Sequence, residues 1–238
     1  METIQGKHVL ITGATGGIGA EAARLLKQSG ARLYLMGRNT DKLQIIRQEL
    51  GLAPEQLIQA DLSREDDIAA AAAHIHRLVP QLDVIVNAAG IGIIKPMESL
   101  SLADFQQTLQ ANLVGPFLIL KYFLPQMKEA KKGLIINIPG VLGKTPMAGA
   151  AAYAASKYGL NGMMKSVREE LKRTDIRITN LYLGGVDTPF WDEIDLRVQR
   201  DKFILAKEAG RAIWFLCQQP SSGVVSEMVI QPFNHQAI

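Results

Sequence analysis

The chain has 238 residues, a net charge of +3, and 47% hydrophobic and 21% charged residues. This charge is too small and too scattered for a nucleic-acid-binding protein, and the apolar runs are too short for a transmembrane helix. The N-terminus lacks the separate basic and apolar regions of a signal peptide, and a single cysteine, Cys217, excludes an internal disulfide framework. We therefore expect a soluble cytoplasmic protein whose residues 1–238 form one domain.

Seven apolar segments of strand length alternate with segments of helical periodicity. Most of them do not alternate apolar and polar residues, which is typical of strands covered on both faces. Repeated strand–helix–strand units predict an α/β fold, a doubly wound parallel sheet of about seven strands with helices on both faces. In chain order the predicted strands are 8–12, 31–37, 56–60, 82–90, 133–138, 176–184 and 227–232.

Among the helices, Ser63 and Asp66 form a sequence capping box that predicts a helix over 63–78. Two longer helices are expected over 101–131 and 153–172. His74 and His76 are two residues apart on the helix predicted over 63–78 and so lie on different faces, and no Cys or carboxylate pattern completes a zinc site. We therefore expect no metal.

The first strand runs directly into a glycine-rich turn, TGATGGIG (12–19), followed by a helix. Glycines let a backbone turn tightly and approach a pyrophosphate, and the N–H groups of the helix N-terminus bind it. The spacing, G-x-x-x-G-x-G, differs from the common G-x-G-x-x-G fingerprint. The turn predicts dinucleotide binding through Gly13, Thr15, Gly16, Gly17, Ile18 and Gly19.

Together with NAAG (87–90) and YAASK (153–157), this turn resembles the short-chain dehydrogenase/reductase family, and the likeness extends over essentially the whole chain. The resemblance implies a Rossmann-type fold, a nicotinamide cofactor and hydride transfer to or from a carbonyl carbon. It also implies a homodimer or homotetramer that packs the helices 101–131 and 153–172. Further cofactor contacts implied by the resemblance are Asp61, Leu62, Asn87, Ala88, Gly90 and Thr188.

The end of the second strand favours NADP over NAD, although NAD is possible. A carboxylate there binds the ribose 2′-OH of NAD, whereas a nearby arginine accommodates the 2′-phosphate of NADP. Here the carboxylate position is Gly37 and Arg38 follows it. The alternative is that Arg38 is a solvated loop cation.

Tyr153 and Lys157 are four residues apart, so on a helix they share one face. A neighbouring ammonium favours the phenolate, which makes Tyr153 a candidate general acid for reduction or base for oxidation. By resemblance, Lys157 also holds the nicotinamide ribose. Asn112 matches the asparagine that holds a proton-relay water in the family; the alternative is an ordinary helix amide.

Gly140 stands where the family has a serine that hydrogen-bonds the substrate oxygen. Loss of one such donor costs about 3 kcal/mol of transition-state stabilisation. Candidate replacement donors are Asn137, Lys144, Thr145, a backbone N–H made accessible by Gly140 or a water. Two hypotheses follow: an NADP-dependent carbonyl reductase or alcohol dehydrogenase, and a non-catalytic NADP-binding protein that acts as a sensor or assembly partner.

The substrate is expected beyond the carboxyl ends of the strands, between the segments 91–97, 140–148 and 185–200. Their apolar residues predict a mainly apolar carbonyl compound or alcohol, under a lid at about 185–205; several of them could instead pack the underside of this lid. Asp192, Glu193 and Asp195 fit the start of a lid helix. The candidate substrate residues are Ile93, Leu142, Met147, Phe190 and Trp191.

Overall fold

The structure is a computed structural model that describes residues 2–194 and 196–234. Asp195, expected near the start of a lid helix, lies outside the described residues. Within these two ranges the chain forms nine strands, and each predicted strand appears within three residues of its expected bounds. They are β1 (His8–Thr12), β2 (Arg32–Gly37), β3 (Leu57–Gln59), β4 (Val84–Asn87), β5 (Lys132–Asn137), β6 (Asp175–Leu183), β7 (Val186–Asp187), β8 (Ile204–Leu205) and β9 (Glu227–Ile230).

Seven of these strands form one parallel sheet in the order β3-β2-β1-β4-β5-β6-β9, while β7 and β8 form a separate two-stranded pair. The chain order reverses between β1 and β4, which is where ligands bind in doubly wound folds, beyond the carboxyl ends of the strands. The predicted fold is confirmed, and the sheet brings the ends of β1, β4, β5 and β6 to one edge.

Helices cover both faces of the sheet and bury an apolar cluster on each. The helices are α1 (Gly17–Gln28), α2 (Thr40–Leu50), α3 (Glu65–Leu78), α4 (Leu102–Leu109), α5 (Gly115–Ala130), α6 (Ala151–Glu170) and α7 (Ala206–Leu216). One cluster holds Leu26 of α1 and Ile213 of α7. The other holds Ile75 of α3, Phe123 of α5 and Leu160 of α6. No helix in the described part of the chain is long and apolar enough for a bilayer span.

The predicted capping box at the start of α3 is wrong. The helix begins at Glu65, after Arg64, and no side chain caps it. The backbone N–H and Oγ of Ser63 both donate to Asp61 Oδ1, at 2.9 and 2.8 Å. Asp61 therefore draws Ser63 into a local turn, because short polar side chains compete with helix geometry for backbone groups.

The long helix predicted over 101–131 has a break in its interior. A π-helical turn over Gln110–Val114 joins α4 to α5, and it contains Asn112. Such turns inside α-helices occur frequently at functional sites. The break places Asn112 with its side chain fully buried, instead of on an ordinary helix surface.

Candidate active site

The glycine-rich turn after β1 is packed so tightly that side chains are excluded from its inner positions. Gly13 has φ +67°, and a Cβ there would lie 2.6 Å from the backbone nitrogen of Ala89. A Cβ at Gly19 would lie 2.4 Å from the oxygen of Gly13. At the start of α1, Gly16 provides no side-chain cap and no acidic residue is present in the first turn. The uncapped N–H groups suit a pyrophosphate, because helix N-termini attract anions.

Thr188 and Gly90 continue this surface towards the predicted catalytic residues. A Cβ on Gly17 would lie 2.5 Å from Thr188 Cγ2, so the Thr188 methyl rests against the glycine-rich turn. A Cβ on Gly90 would lie 3.1 Å from Asn112 Oδ1 and 3.5 Å from Lys157 Nζ. The glycines thus leave a continuous cradle from the start of α1 to Lys157, which fits an extended dinucleotide.

At the other end of this surface, Arg38 and Asp61 border a cavity of about 580 Å³ between β3 and α3. Burial acts to raise the pKa of Asp61, but the hydrogen bonds from Ser63 and the charges of Arg38 and Arg64 outweigh it and lower the pKa. Asp61 is therefore ionised at neutral pH. Arg38 is exposed, with its charge close enough to influence Asp61.

Buried polar side chains end the central strands. Asn87 on β4 and Asn137 on β5 are direct neighbours in the sheet, and Asn87 Nδ2 donates to Asn137 Oδ1 at 2.8 Å. Asn180, paired with Asn137 on the next strand, donates to Asn161 Oδ1 of α6 at 3.2 Å. These three asparagines, adjacent on β4, β5 and β6, hold the strands together near the points where the loops after β4 and β5 begin. Leu62, by contrast, packs against Gly115 at the start of α5.

Tyr153 and Lys157 lie together on α6, as their spacing predicts. Lys157 Nζ is 5.3 Å from the centre of the Tyr153 ring and donates to the backbone oxygen of Ile138 at 3.0 Å. Burial raises the pKa of Tyr153 to about 12 and lowers the pKa of Lys157 to about 8. The expected lowering of the Tyr153 pKa is therefore absent in the protein alone, because desolvation outweighs the neighbouring ammonium.

Asn112 uses its side chain to hold the loop after β4 against α6. Its Oδ1 accepts the N–H of Ile91 at 2.9 Å, and its Nδ2 donates to the oxygen of Ile91 at 2.9 Å and to Ser156 Oγ at 3.1 Å. Ser156 Oγ in turn donates to the backbone oxygen of Tyr153 at 2.6 Å. The Asn112 side chain thus links the loop after β4 to the Tyr153 backbone through Ser156.

Gly140, which stands where the resemblance leads us to expect a serine, has a backbone conformation that suits a glycine. Its φ of +67° and ψ of 171° lie in a region that is essentially restricted to glycine. A Cβ at this position would meet only the backbone oxygen of Leu183, at 3.4 Å. The turn after β5 is therefore built around a glycine, and a serine could not take this place without strain.

Two of the side chains considered as replacements for the serine are committed elsewhere. Lys144 Nζ donates to Glu227 Oε2 of β9 at 2.6 Å and lies 4.3 Å from the centre of the Tyr182 ring. Asn137 is fully buried and bonded to Asn87. The other candidates, Thr145, a backbone N–H made accessible by Gly140 and a water, stay predictions.

The predicted substrate residues differ in where they lie relative to Tyr153. The Phe190 ring lies 6.0 Å from that of Tyr153, and a Cβ on Gly92 would lie 2.3 Å from Phe190 Cζ, so Phe190 forms a wall beside the tyrosine. Trp191 instead packs on Phe203 and donates to the oxygen of Val186 at 2.9 Å, which makes it a support. Ile93 and Leu142 are half-buried on the flanking loops, and Met147 is exposed at the rim.

The sequence analysis missed Ser156, Asn161, Asn180 and Arg200. Their contacts join residues that are distant in the chain, and no local pattern marks them. The segment expected to form a lid helix is a short 3₁₀ turn, Pro189–Glu193. Among the described residues, no three His, Cys, Asp or Glu side chains converge in a way that could hold a metal ion.

Comparisons with known proteins agree with this geometry. The family profile described as short chain dehydrogenase matches residues 7–199. An oxidoreductase of Staphylococcus saprophyticus, described as uncharacterised, is 31% identical and covers 98% of each chain. A metagenomic short-chain oxidoreductase in complex with NADP superposes with a TM-score of 0.84 at 33% identity, covering 97% of this chain and 99% of that one. An alcohol dehydrogenase from Thermococcus sibiricus with 5-hydroxy-NADP gives 0.88 at 26% identity, covering 98% and 99%. The chain is thus an oxidoreductase of the short-chain dehydrogenase/reductase family.

Proposed function

We propose that the protein uses a nicotinamide cofactor, with NADP favoured, to transfer hydride to or from a carbonyl or secondary alcohol carbon of a mainly apolar small molecule. The observation that carries the proposal is the arrangement of Tyr153 and Lys157. Lys157 Nζ lies beside Gly90 in the loop after β4 and 5.3 Å from the centre of the Tyr153 ring. A proton donor is therefore next to a cradle that fits a dinucleotide.

The end of β2 supports NADP. Gly37 carries no carboxylate, and a Cβ there would already lie 3.3 Å from both Cγ2 and Oγ1 of Thr15. The exposed Arg38 has the planar guanidinium that suits a phosphate. Two of the similar solved structures hold NADP or 5-hydroxy-NADP.

In this mechanism the bound cofactor supplies or accepts the hydride. The Tyr153 hydroxyl donates a proton to the substrate oxygen in reduction and removes it in oxidation. Because burial raises the pKa of Tyr153 to about 12, the residue is protonated at neutral pH, as reduction requires. The Lys157 ammonium stabilises the negative charge that develops on the tyrosine oxygen as its proton leaves.

Asn112 contributes by position. Because its side chain is occupied by Ile91 and Ser156, a relay water would be held by backbone groups of the π-helical turn. Phe190 forms an apolar wall for the substrate beside Tyr153.

The rival function is a non-catalytic NADP-binding protein, a sensor or assembly partner, and Gly140 supports it. A glycine offers no side-chain donor, so one oxyanion-type contact is absent. This loss alone would lower the rate about 100- to 1,000-fold, without affecting cofactor binding.

The test is NADPH consumption with a panel of apolar ketones, aldehydes and diketones, using the wild type, Tyr153→Phe and the control Tyr158→Phe. Tyr158 lies on the same helix and is exposed. We expect Tyr153→Phe to lower kcat about 100- to 10,000-fold and to leave the NADPH Kd unchanged. Tight NADPH binding without turnover, in wild type and Tyr153→Phe alike, would favour the non-catalytic protein.

We also infer a homodimer or homotetramer that packs α4, α5 and α6 against their symmetry mates. Leu102 and Phe117 on the first two of these helices are 71% and 47% exposed. Light scattering coupled to gel filtration measures the mass directly, and a monomer at micromolar concentration would contradict the inference.

A further inference from the structure

Arg200 makes three contacts with residues that precede it in the chain. Its Nε donates to Asp187 Oδ1 and its Nη1 to Asp192 Oδ1, both at 2.6 Å, and its Nη2 donates to the backbone oxygen of Thr188 at 3.0 Å. We propose that Arg200 is a positioning residue that holds Thr188 in the conformation required for cofactor binding. The proposal rests on the proposed function, because it assigns Thr188 to the cofactor site.

The three contacts hold Arg200 against residues 187–192, which lie at the end of β7 and directly after it. Arg200 follows Asp187 by 13 residues and Asp192 by 8. It lies four residues before the start of β8, which pairs with β7, and Ile204 N–H donates to the oxygen of Gly185 at 2.9 Å. A guanidinium can reach three acceptors at once because its donors form a rigid planar fork, whereas an ammonium cannot reproduce that geometry.

Thr188 connects this clamp to the cofactor cradle. Its side chain is buried, and its methyl rests against Gly17 at the start of α1. Release of the Thr188 backbone would therefore alter the space beside the glycine-rich turn at the start of α1. Arg200 itself acts through Thr188 and needs no contact with the ligand.

A purely structural role for Arg200 predicts a different result. The Arg200, Asp187 and Asp192 side chains are 39%, 38% and 57% exposed, and ion pairs at such exposure contribute little to global stability. Removal of Arg200 should therefore leave the melting temperature nearly unchanged while it weakens cofactor binding. A structural tie alone would lower stability without a selective effect on NADPH.

The experiment compares Arg200→Gln and Arg200→Lys with the control Arg211→Gln. Substitution of Arg211 removes the same charge, and Arg211 pairs with Glu208 on α7. The NADPH Kd is measured by fluorescence titration, thermal unfolding is followed in parallel, and chymotrypsin cleavage after Trp191 and Phe203 is timed without cofactor. We expect Arg200→Gln to raise the Kd about three- to tenfold and to accelerate cleavage, with Arg200→Lys intermediate and Arg211→Gln unchanged.

A double-mutant cycle with Thr188→Ala tests the route of the effect. If Arg200 acts through Thr188, the double variant should bind NADPH more tightly than the product of the two single effects predicts. Multiplicative effects would overturn the route through Thr188. A Kd and cleavage rate for Arg200→Gln equal to those of Arg211→Gln would overturn the role of Arg200. A wild type that binds no NADPH would instead contradict the proposed function itself.

Discussion

The turns that follow β1 and β5 both contain a glycine with φ +67°, yet their surroundings differ. At Gly13 an added Cβ would lie 2.6 Å from the Ala89 backbone, whereas at Gly140 the nearest atom would be 3.4 Å away. Gly13 is therefore required by both space and conformation, and Gly140 by conformation alone. The comparison indicates that the turn after β1 is fixed by the loop after β4, which contains Ala89, while the turn after β5 has room beside its backbone.

The largest effect should come from Gly13→Ala. The methyl group would collide with backbone and would also sit at a positive φ, so we expect a loss of about 3–5 kcal/mol in the free energy of unfolding and weaker NADPH binding. Urea denaturation and NADPH titration measure the two effects. The control is Gly51→Ala, at φ +59° with no atom within 4 Å of the added Cβ. Equal costs for the two variants would contradict the steric difference.

The turn after β5 also holds the Lys157 ammonium, through the oxygen of Ile138. Because burial lowers the pKa of Lys157 to about 8, the cation is present below pH 8 and lost above it, while Tyr153, with a pKa of about 12, stays protonated. We expect kcat/KM for reduction to fall about tenfold per pH unit above pH 8.

The control for this pH dependence is Lys157→Arg, which keeps its charge at all these pH values. Whatever its absolute rate, this variant should show no decrease in kcat/KM between pH 8 and 10. A wild-type profile that is flat over the same interval would show that the Lys157 charge does not control the rate.

The comparison of the two turns also separates what the sequence predicts from what it does not. Uninterrupted apolar runs predict the seven sheet strands, and the glycine-rich turn, Tyr153 and Lys157 are local patterns that predict their own positions. The φ of Gly140 is set by how the chain leaves β5 and has no sequence signal. The bonds of Lys144 to Glu227, 83 residues apart, and of Arg200 to Asp187 depend on the folded geometry.

Two substitutions at Gly140 distinguish the effect of backbone strain from the effect of an added hydroxyl group. Gly140→Ala and Gly140→Ser both place a Cβ in a region restricted to glycine, so each should cost about 1–3 kcal/mol of unfolding free energy. We expect Gly140→Ser to raise activity no more than Gly140→Ala does, because the strained turn does not present the hydroxyl to the substrate. Calorimetry and the NADPH assay report both quantities. A serine variant that is clearly more active than the alanine variant would show that the turn can relax.

The smallest effect concerns Glu227, which anchors the same turn from β9. Its Oε2 accepts from Lys144 at 2.6 Å, and this hydrogen bond is the main cause of the lowered Glu227 pKa, against burial. We expect Glu227→Gln to cost about 0.5–1 kcal/mol of unfolding free energy and to raise the substrate KM more than the NADPH Kd. The reason is that Lys144, in the turn after β5, is its nearest partner, whereas Lys165 of α6 lies 3.4 Å from Glu227 Oε1. The matched control is Glu208→Gln, which breaks the exposed pair with Arg211 on α7.

The effect of Glu227→Gln should depend on pH. Since the Glu227 pKa is lowered in the folded protein, the difference in unfolding free energy between wild type and Glu227→Gln should disappear as the pH falls through that pKa. If Glu227→Gln weakened NADPH and substrate binding equally, a change in the turn after β5 would also have affected the turn after β1. The distinction between a fixed turn after β1 and an adaptable turn after β5 would then fail.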